Sequence, residues 1–505
     1  MKKSILFCIM LLAAMATFAT PVGKARATRV AQNAVALFCA ELHNTDAKQP
    51  VELTPVSLGM EPKLYIFNFR NNGIEGFIIV SGDDMADPVL AFSDEGMLDL
   101  SGTYNGSTPT VKNPAFLDHL LRYMDQIDYG QQTKATAPAH VALKWQKLES
   151  GNTAPKGDFY HDRINKLLST RWDQSKPYNN YCPGNSVTGC VATAFAQIMR
   201  VWSYPEHGFG YHAYNGENNP AAYPNWRWGV LEADYENTYY DWEHMPDYLT
   251  LNSPAEEIDA VAKLMFHVGV AFEMKYTPNG SGSWSLPEYA IFDTSLHLGT
   301  ENSAPYCLHK YFGYKCSYSG MRDSIGDDTL WMTMIYNSLS AGMPVYYAGW
   351  AKDDSPAGHS GTEGHAYVID GYFSDEVDSN LFHINWGWGG TANAYFKLDA
   401  MTPNGTDFTQ WHGAVIGMEP DTSYHGYNYL DIHTTETPTH QLSVRNHSIV
   451  AQGVAGQTVA LYDVMGRRLA YRAAEQGDSW TVPAKPGIYI VRIGQQPGQK
   501  VIVLK

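Results

Sequence analysis

The sequence predicts an α+β chain in three folded parts: an α+β region, a larger aromatic-rich α+β region and a small all-β tail. Three observations predict it. Hydrophobic residues are 44% and charged residues 17% of 505 positions, which suits packed cores and not bulk disorder. A length of about 150 residues per domain gives roughly three domains. Strand and helix patterns alternate up to about residue 420, and only strand patterns follow from about residue 440.

The chain begins with a targeting pattern. Met1-Lys2-Lys3 precedes an apolar run from Ile5 to Ala16, and Thr17 and Ala19 sit at −3 and −1 of a cut after Ala19. The run is too short to span a bilayer and reads as a secretory signal peptide over residues 1–19. No later segment approaches eighteen consecutive apolar residues, so no transmembrane segment is expected. Lys plus Arg number 35 against 52 Asp plus Glu, a formal charge of −17, which argues against a nucleic-acid partner. Aromatic residues reach 13%, with 33 Tyr and 13 Trp, as in strand-rich packing and aromatic-lined clefts. Of six cysteines, Cys8 leaves with the signal. The remaining five are sparse and odd in number, which implies a free thiol rather than a disulfide framework.

From Thr20 to Asp128 the reading is short strands and turns, as at Leu64–Phe69, Gly76–Val80 and Pro88–Phe92, then a helix over Pro114–Ile127. Two polar runs, Gly130–Ala139 and Glu149–Gly157, read as a protease-sensitive linker. Ser253-Pro254-Ala255-Glu256 reads as a capping box opening a helix with Ile258, Val261, Ala262, Met265 and Phe266 on its buried stripe. A further helix is expected from Asp328 to Leu339, then a strand at Val345–Ala348. In the tail, Thr458–Val464 and Arg468–Arg472 flank Met465-Gly466 as a hairpin. Gly487–Ile493 and Lys500–Leu504 follow as strands, the pattern of a small β-sandwich.

The sequence holds no HExxH, paired CxxC, Walker loop or GxSxG elbow, so no cofactor or metal is expected. Gly387-Trp388-Gly389-Gly390-Thr391-Ala392 fits a dinucleotide fingerprint loosely, but strand-like Ala394–Leu398 follows where that fold needs a helix. In Thr188–Met199, Val191, Phe195, Ile198 and Trp202 repeat at helical spacing, which puts Cys190 at the first turn of a buried helix. Unpaired N–H groups there favour thiolate, although a free cysteine is more often a small buried hydrophobe. A thiolate nucleophile needs an imidazole and an orienting group. His365, one of eighteen histidines, opens the apolar strand Gly364–Gly371. Asn385-Trp386 ends a second strand before a glycine turn, where an amide oxygen can hold an imidazole under an indole. His383 reads as structural. Gln174, in a polar loop before the cysteine, could present an N–H to an oxyanion beside the Cys190 N–H, although a loop glutamine is usually solvated.

Together these residues resemble the streptopain-like family of secreted cysteine peptidases. The match covers about residues 165 to 420, in ordered blocks at Gln174–Asn179, Gly189–Met199, Leu264–Tyr276, Pro344–Tyr347, Gly364–Gly371, Asn385–Gly390 and Ala414–Gly417. The resemblance implies a papain-like catalytic domain with an α+β prodomain before it. Its boundaries would be an inhibitory propeptide over 20–150, a peptidase domain over 151–425 and a β-sandwich over 440–505. It implies Cys190 as nucleophile, His365 as its imidazole partner, Gln174 in the oxyanion hole, Asn385 orienting the histidine and Trp386 covering that contact. Ser281 and Ser283 correspond to a substrate-cleft loop. Pro403–Gln410 is shorter and less glycine-rich than the family's loop there, and Cys182, Cys307 and Cys316 are extra. The tail resembles the sorting domain of type IX secretion cargo, through Leu461–Arg467, Pro486–Arg492 and Lys500–Val503. The expected function is a secreted cysteine endopeptidase made as a zymogen. Its partners would be protein and peptide substrates, its own propeptide as inhibitor, and the type IX secretion machinery. Two other readings use the same scaffold: a surface adhesin that has lost activity, and an acyl transferase passing the thioester to an amine.

Overall fold

The structure, a computed structural model, describes residues 20–43, 46, 48–104, 108–151, 163–217, 227–287, 290–292, 302–350, 364–374, 380–399, 412–424, 441–445, 448–463, 468–472, 479–485, 487–493 and 499–503. The signal peptide, most of the second linker run, Pro403–Gln410 and the Met465-Gly466 turn lie outside the described residues. Contacts divide the chain into two compact units, one within 1–94, 121–158 and 399–408, the other within 95–120, 159–398 and 409–505. Among the described residues no helix is long and apolar enough to cross a membrane.

The first unit opens with a helix the strand-and-turn reading missed, α1 (Lys24–His43). Its signal was present: Val30, Ala31, Ala34, Val35, Phe38 and Leu42 recur at helical spacing and are buried. That stripe covers an antiparallel sheet of β1 (Glu52–Val56), β2 (Leu64–Asn71), β3 (Ile74–Ser81) and β4 (Val89–Ser93). Phe38 meets Phe92 edge-on at 5.2 Å, and Phe92 stacks on Phe69 at 5.4 Å. The helix expected over Pro114–Ile127 runs further, as α2 (Pro114–Gln132), and α3 (Ala139–Ser150) follows. The first linker run is therefore corrected to a short connection between two helices. Its apolar content was low, but Val141, Trp145 and Leu148 bury the face of α3 that follows it.

The second unit is built on α4 (Cys190–Trp202), α5 (Ala255–Ala271), α6 (Ala304–Phe312) and α7 (Asp328–Ser340). Its antiparallel sheet has strands β5 (Ile291–Phe292), β6 (Tyr318–Met321), β7 (Val345–Trp350), β8 (Gly364–Phe373), β9 (Leu381–Asn385), β10 (Ala394–Phe396) and β11 (Gly413–Ile416). The spatial order is β10-β9-β8-β7-β11-β6-β5. Residues Val191 to Met199 of α4 are all buried, as befits a helix apolar almost all round. Phe195 anchors it, stacked on Tyr346 of β7 at 4.1 Å and on Phe272 at 5.0 Å. At α5 the expected capping box is not formed. Pro254 is the N-cap, and the Ser253 hydroxyl instead accepts from the Thr250 N–H at 3.0 Å. Pro254 takes the extended backbone an N-cap needs, which shifts the helix start one residue on.

The tail folds as expected into two antiparallel sheets. One has β12 (Gln441–Arg445), β13 (Ser448–Gln452) and β16 (Ser479–Pro483). The other has β14 (Val459–Asp463), β15 (Arg468–Arg472), β17 (Gly487–Ile493) and β18 (Gln499–Val503). Ile449, Ala451, Val459, Leu461, Val491 and Val501 form their shared core.

Candidate active site

Cys190 is the first residue of α4, with Gly189 as its N-cap at φ +89°. A Cβ on Gly189 would come within 2.8 Å of Met274 Sδ and 2.9 Å of the Ser281 carbonyl, so both backbone conformation and space require glycine there. The helix start leaves N–H groups without intrahelical acceptors, and that of Val191, together with the Ala366 N–H of strand β8, serves the half-buried Cys190 sulfur. Burial alone would push the thiol pKa up. The hydrogen bond and charge of His365, with the two backbone N–H donors, outweigh it and hold the thiol below its ordinary value. The other cysteines differ. Burial pushes Cys39 and Cys182 up to about 12, and raises Cys307 as well.

His365 sits at the start of β8, opposite Gly349 of β7. Strand alternation assigns Ala366 and Val368 to the face packed on α4, and His365 and Tyr367 to the other. Burial favours the neutral imidazole, yet Asp118 and Cys190 prevail and raise its pKa to about 9. Asp118, on α2, places Oδ2 at 3.3 Å from His365 Nε2, an ion pair long for a hydrogen bond.

Asn385 ends β9 opposite Val368, which gives it the α4 face rather than that of His365. Its Nδ2 donates to the Thr170 carbonyl at 2.7 Å and to Gln197 Oε1 at 3.3 Å. Its Oδ1 accepts from Gln197 Nε2 at 3.3 Å and from the Gly387 N–H at 3.1 Å. None of its hydrogen bonds among the described residues reaches His365. Trp386 donates its indole N–H to the Ala392 carbonyl at 3.0 Å. Its ring lies between Tyr367, at 4.8 Å, and His119, at 5.5 Å.

Gln174 is 5% exposed, and its Nε2 has no hydrogen-bond partner among the described residues. Its carbonyl accepts from the Thr188 N–H at 3.0 Å, which ties the loop to the segment before Cys190. A buried donor without an acceptor is costly, unless the site supplies the acceptor during the reaction. Ser281 and Ser283 flank Gly282 beside Gly189. Ser281 donates to the Val187 carbonyl at 2.6 Å and accepts from the Thr277 N–H at 3.0 Å, and Ser283 donates to the Phe272 carbonyl. Both hydroxyls are thus committed to backbone.

Two residues escaped the sequence reading. Gln197, on the same helix as Cys190, accepts at Oε1 from the Thr170 hydroxyl at 2.9 Å and the Trp172 N–H at 3.2 Å, besides holding Asn385. A lone amide in the apolar run Val191–Met199 was its signal. Asp118 had none, because chain spacing cannot say which carboxylate meets His365. Among the described residues no three His, Cys, Asp or Glu side chains cluster as a metal site needs.

A thiol held low beside an imidazole held high, at a helix start, has the chemistry a cysteine nucleophile needs. Residues 172–396 match the Peptidase C10 family, and residues 19–111 match the Spi protease inhibitor domain. Streptopain of Streptococcus pyogenes is 30% identical over 387 residues, covering 74% of this chain and 85% of its own. The thiol protease/hemagglutinin PrtT of Porphyromonas gingivalis is 28% identical over 424 residues, covering 80% and 42%. Among solved structures, a prointerpain A fragment of Prevotella intermedia is 28% identical at a TM-score of 0.49, covering 72% of this chain and 98% of the fragment. Active interpain A is 34% identical at a TM-score of 0.40, covering 50% and 94%. The chain belongs to the Peptidase C10 family: it is a streptopain-like cysteine peptidase whose catalytic part is preceded by a protease-inhibitor propeptide domain.

Proposed function

We propose that the chain is a secreted cysteine endopeptidase, made as a zymogen and working through a thiolate–imidazolium pair. The reading is supported by the placement of Cys190 at the first turn of α4, beside His365, each shifting the other's titration so that the thiol pKa is lowered and the imidazole pKa raised. The Cys190 thiolate attacks a peptide carbonyl carbon, and the carbonyl π pair moves onto oxygen. The Cys190 N–H and Gln174 Nε2 stabilise that oxyanion. The His365 imidazolium gives its proton to the departing amine as the C–N bond breaks and a thioester remains. The neutral imidazole then takes a proton from water, which attacks the thioester and releases the acid and the thiolate.

Trp386, on the face of His365, shields the imidazole, and Asn385 positions it indirectly, by fixing the end of β9 through Gln197 and the Thr170 carbonyl. The loop around Ser281 and Ser283 borders the cleft through its backbone. Residues 1–19 direct export and residues 440–505 are read by the type IX secretion machinery, which makes the enzyme secreted or surface-bound.

The test uses the full chain without added protease. Wild type shortens itself at a cut within residues 130–165 and then degrades casein, while Cys190→Ala stays full-length and inert. Equal maturation of both proteins rules out self-processing. Casein cleavage by matured Cys190→Ala rules out the nucleophile.

A further inference from the structure

Residues 95–111 lie within the inhibitor match, yet they pack in the compact unit that holds the whole peptidase match, 172–396. The chain from Glu95 to Asp118 meets the catalytic sheet at separate points. Asp118 reaches His365 near the start of β8, and Glu95 reaches His383 on β9. His383 stands opposite Gly371 of β8, about 20 Å along that strand from His365 at about 3.3 Å per residue.

The buried His383 ring lies between two carboxylates, with Nδ1 at 2.6 Å from Asp370 Oδ1 and Nε2 at 3.3 Å from Glu95 Oε1. These carboxylates differ in origin. Asp370 is a buried residue of β8, and its Oδ2 accepts from the Leu168 N–H at 3.0 Å. Glu95 is partly exposed, comes from the inhibitor match, and also accepts at Oε1 from Lys166 Nζ. The sheet puts Lys166 in place: Ile164 pairs with Tyr372, and the Leu167 N–H donates to the Asp370 carbonyl at 2.8 Å. A Cβ on Gly371 would come within 3.0 Å of His383 Cβ and 3.5 Å of Lys166 Cα, so glycine there lets the Lys166 backbone lie against His383. With Nδ1 committed to Asp370, the imidazole presents Nε2–H, and beside Lys166 it makes a two-cation receptor for one carboxylate. Burial would raise the Glu95 pKa, yet His383 and Lys166 outweigh it and hold it down at about 2.

We propose that His383 and Lys166 form a docking site on the catalytic part for the Glu95 carboxylate of the propeptide, and that this contact keeps the propeptide bound after the chain is cut. Cleavage and release are then separate events, and Glu95 sets the speed of the second. The proposal rests on the zymogen reading, in which a cut within residues 130–165 leaves Lys166 with the catalytic part.

The test uses the full-length Cys190→Ala chain with a recognition site for a sequence-specific protease in place of residues 152–157, so that only the added protease cuts. The cut protein should still elute as one species in size-exclusion chromatography. Release of the propeptide from immobilised catalytic part should be about tenfold to a hundredfold faster in Glu95→Gln. Lys166→Gln should also speed release, Lys166→Arg should stay near the parent rate, and the Glu95→Gln/Lys166→Gln effects should fall short of multiplying, because both remove one contact. Should Glu95→Gln fail to fold, Lys166→Gln against Lys166→Arg makes the same comparison. A propeptide that leaves the parent protein at once, equal rates in parent and variants, or effects that simply multiply overturn the proposal. With Cys190 restored, Glu95→Gln should shorten the lag before casein cleavage, while its matured enzyme, which has lost residue 95, should match wild type in kcat/KM. An unchanged lag overturns the role of Glu95 in release. Absence of casein cleavage in both proteins overturns the nucleophile reading instead and leaves the release rates standing.

Discussion

Nε2 of His365 lies 3.3 Å from Oδ2 of Asp118, while the side chain of Asn385 is turned to Gln197 on the other face of the sheet. The imidazole thus has the thiolate on one side and a carboxylate on the other, and both favour its protonated form. Removing the carboxylate should let burial reassert itself. In a full-length Cys190→Ala background, His365 should titrate above its ordinary 6.5, and adding Asp118→Asn should move it down. Imidazole NMR shifts against pH read this directly, and identical titrations in the two proteins would remove Asp118 from the site.

If Asn385 acts on His365 only through the strand end and the Gln197 contact it holds, its loss should be felt unequally. Asn385→Ala should lower kcat of the matured enzyme by about tenfold to a hundredfold, by analogy with lost positioning partners. The same change should leave the His365 titration of the full-length chain nearly unaltered. A large change in that titration would mean that Asn385 acts on His365 directly.

Gln174 should act on the transition state alone. Gln174→Ala should reduce kcat by about 10²–10³ with little change in KM, as removal of an oxyanion donor does elsewhere. Because its Nε2 has no partner in the ground state, the variant should be no less stable than wild type in chemical denaturation. A rise in KM at constant kcat would make it a binding residue instead.

The buried pair of His383 and Asp370, 2.6 Å apart with Glu95 at 3.3 Å, gives the protein a defined response to pH. Burial opposes the imidazolium, but the two carboxylates raise its pKa to about 9. A raised histidine stabilises the fold fully below about 6.5, its unfolded value, and loses that contribution as pH climbs through about 9. The Tm of full-length Cys190→Ala should therefore decline between those values. His383→Gln should cost about 3–5 kcal/mol near pH 6, by leaving Asp370 buried without its partner, and should flatten the decline.

Much of this arrangement could be read from residues alone, because short-range rules govern it. Gly189-Cys190 before an apolar helical stripe fixes where the thiol sits, and Gly364-His365 before an apolar strand fixes the imidazole at a strand end. What could not be read depends on register. Whether Asn385 shares a face with His365 turns on its pairing with Val368, and a shift of one residue would reverse it. The missed α1 has a different cause: its alanine-rich, weakly apolar stripe gives a faint signal until the sheet beneath it is known. The capping box at Ser253 was lost to a local competitor, the Thr250 N–H.

The most direct measurement is modification of the matured enzyme by a thiol-directed epoxide, with the labelled residue identified by mass spectrometry. Label should appear at Cys190 alone, sparing Cys182, Cys307 and Cys316, and should vanish in His365→Ala. Label on a buried cysteine, or undiminished label at Cys190 without the imidazole, would contradict the account.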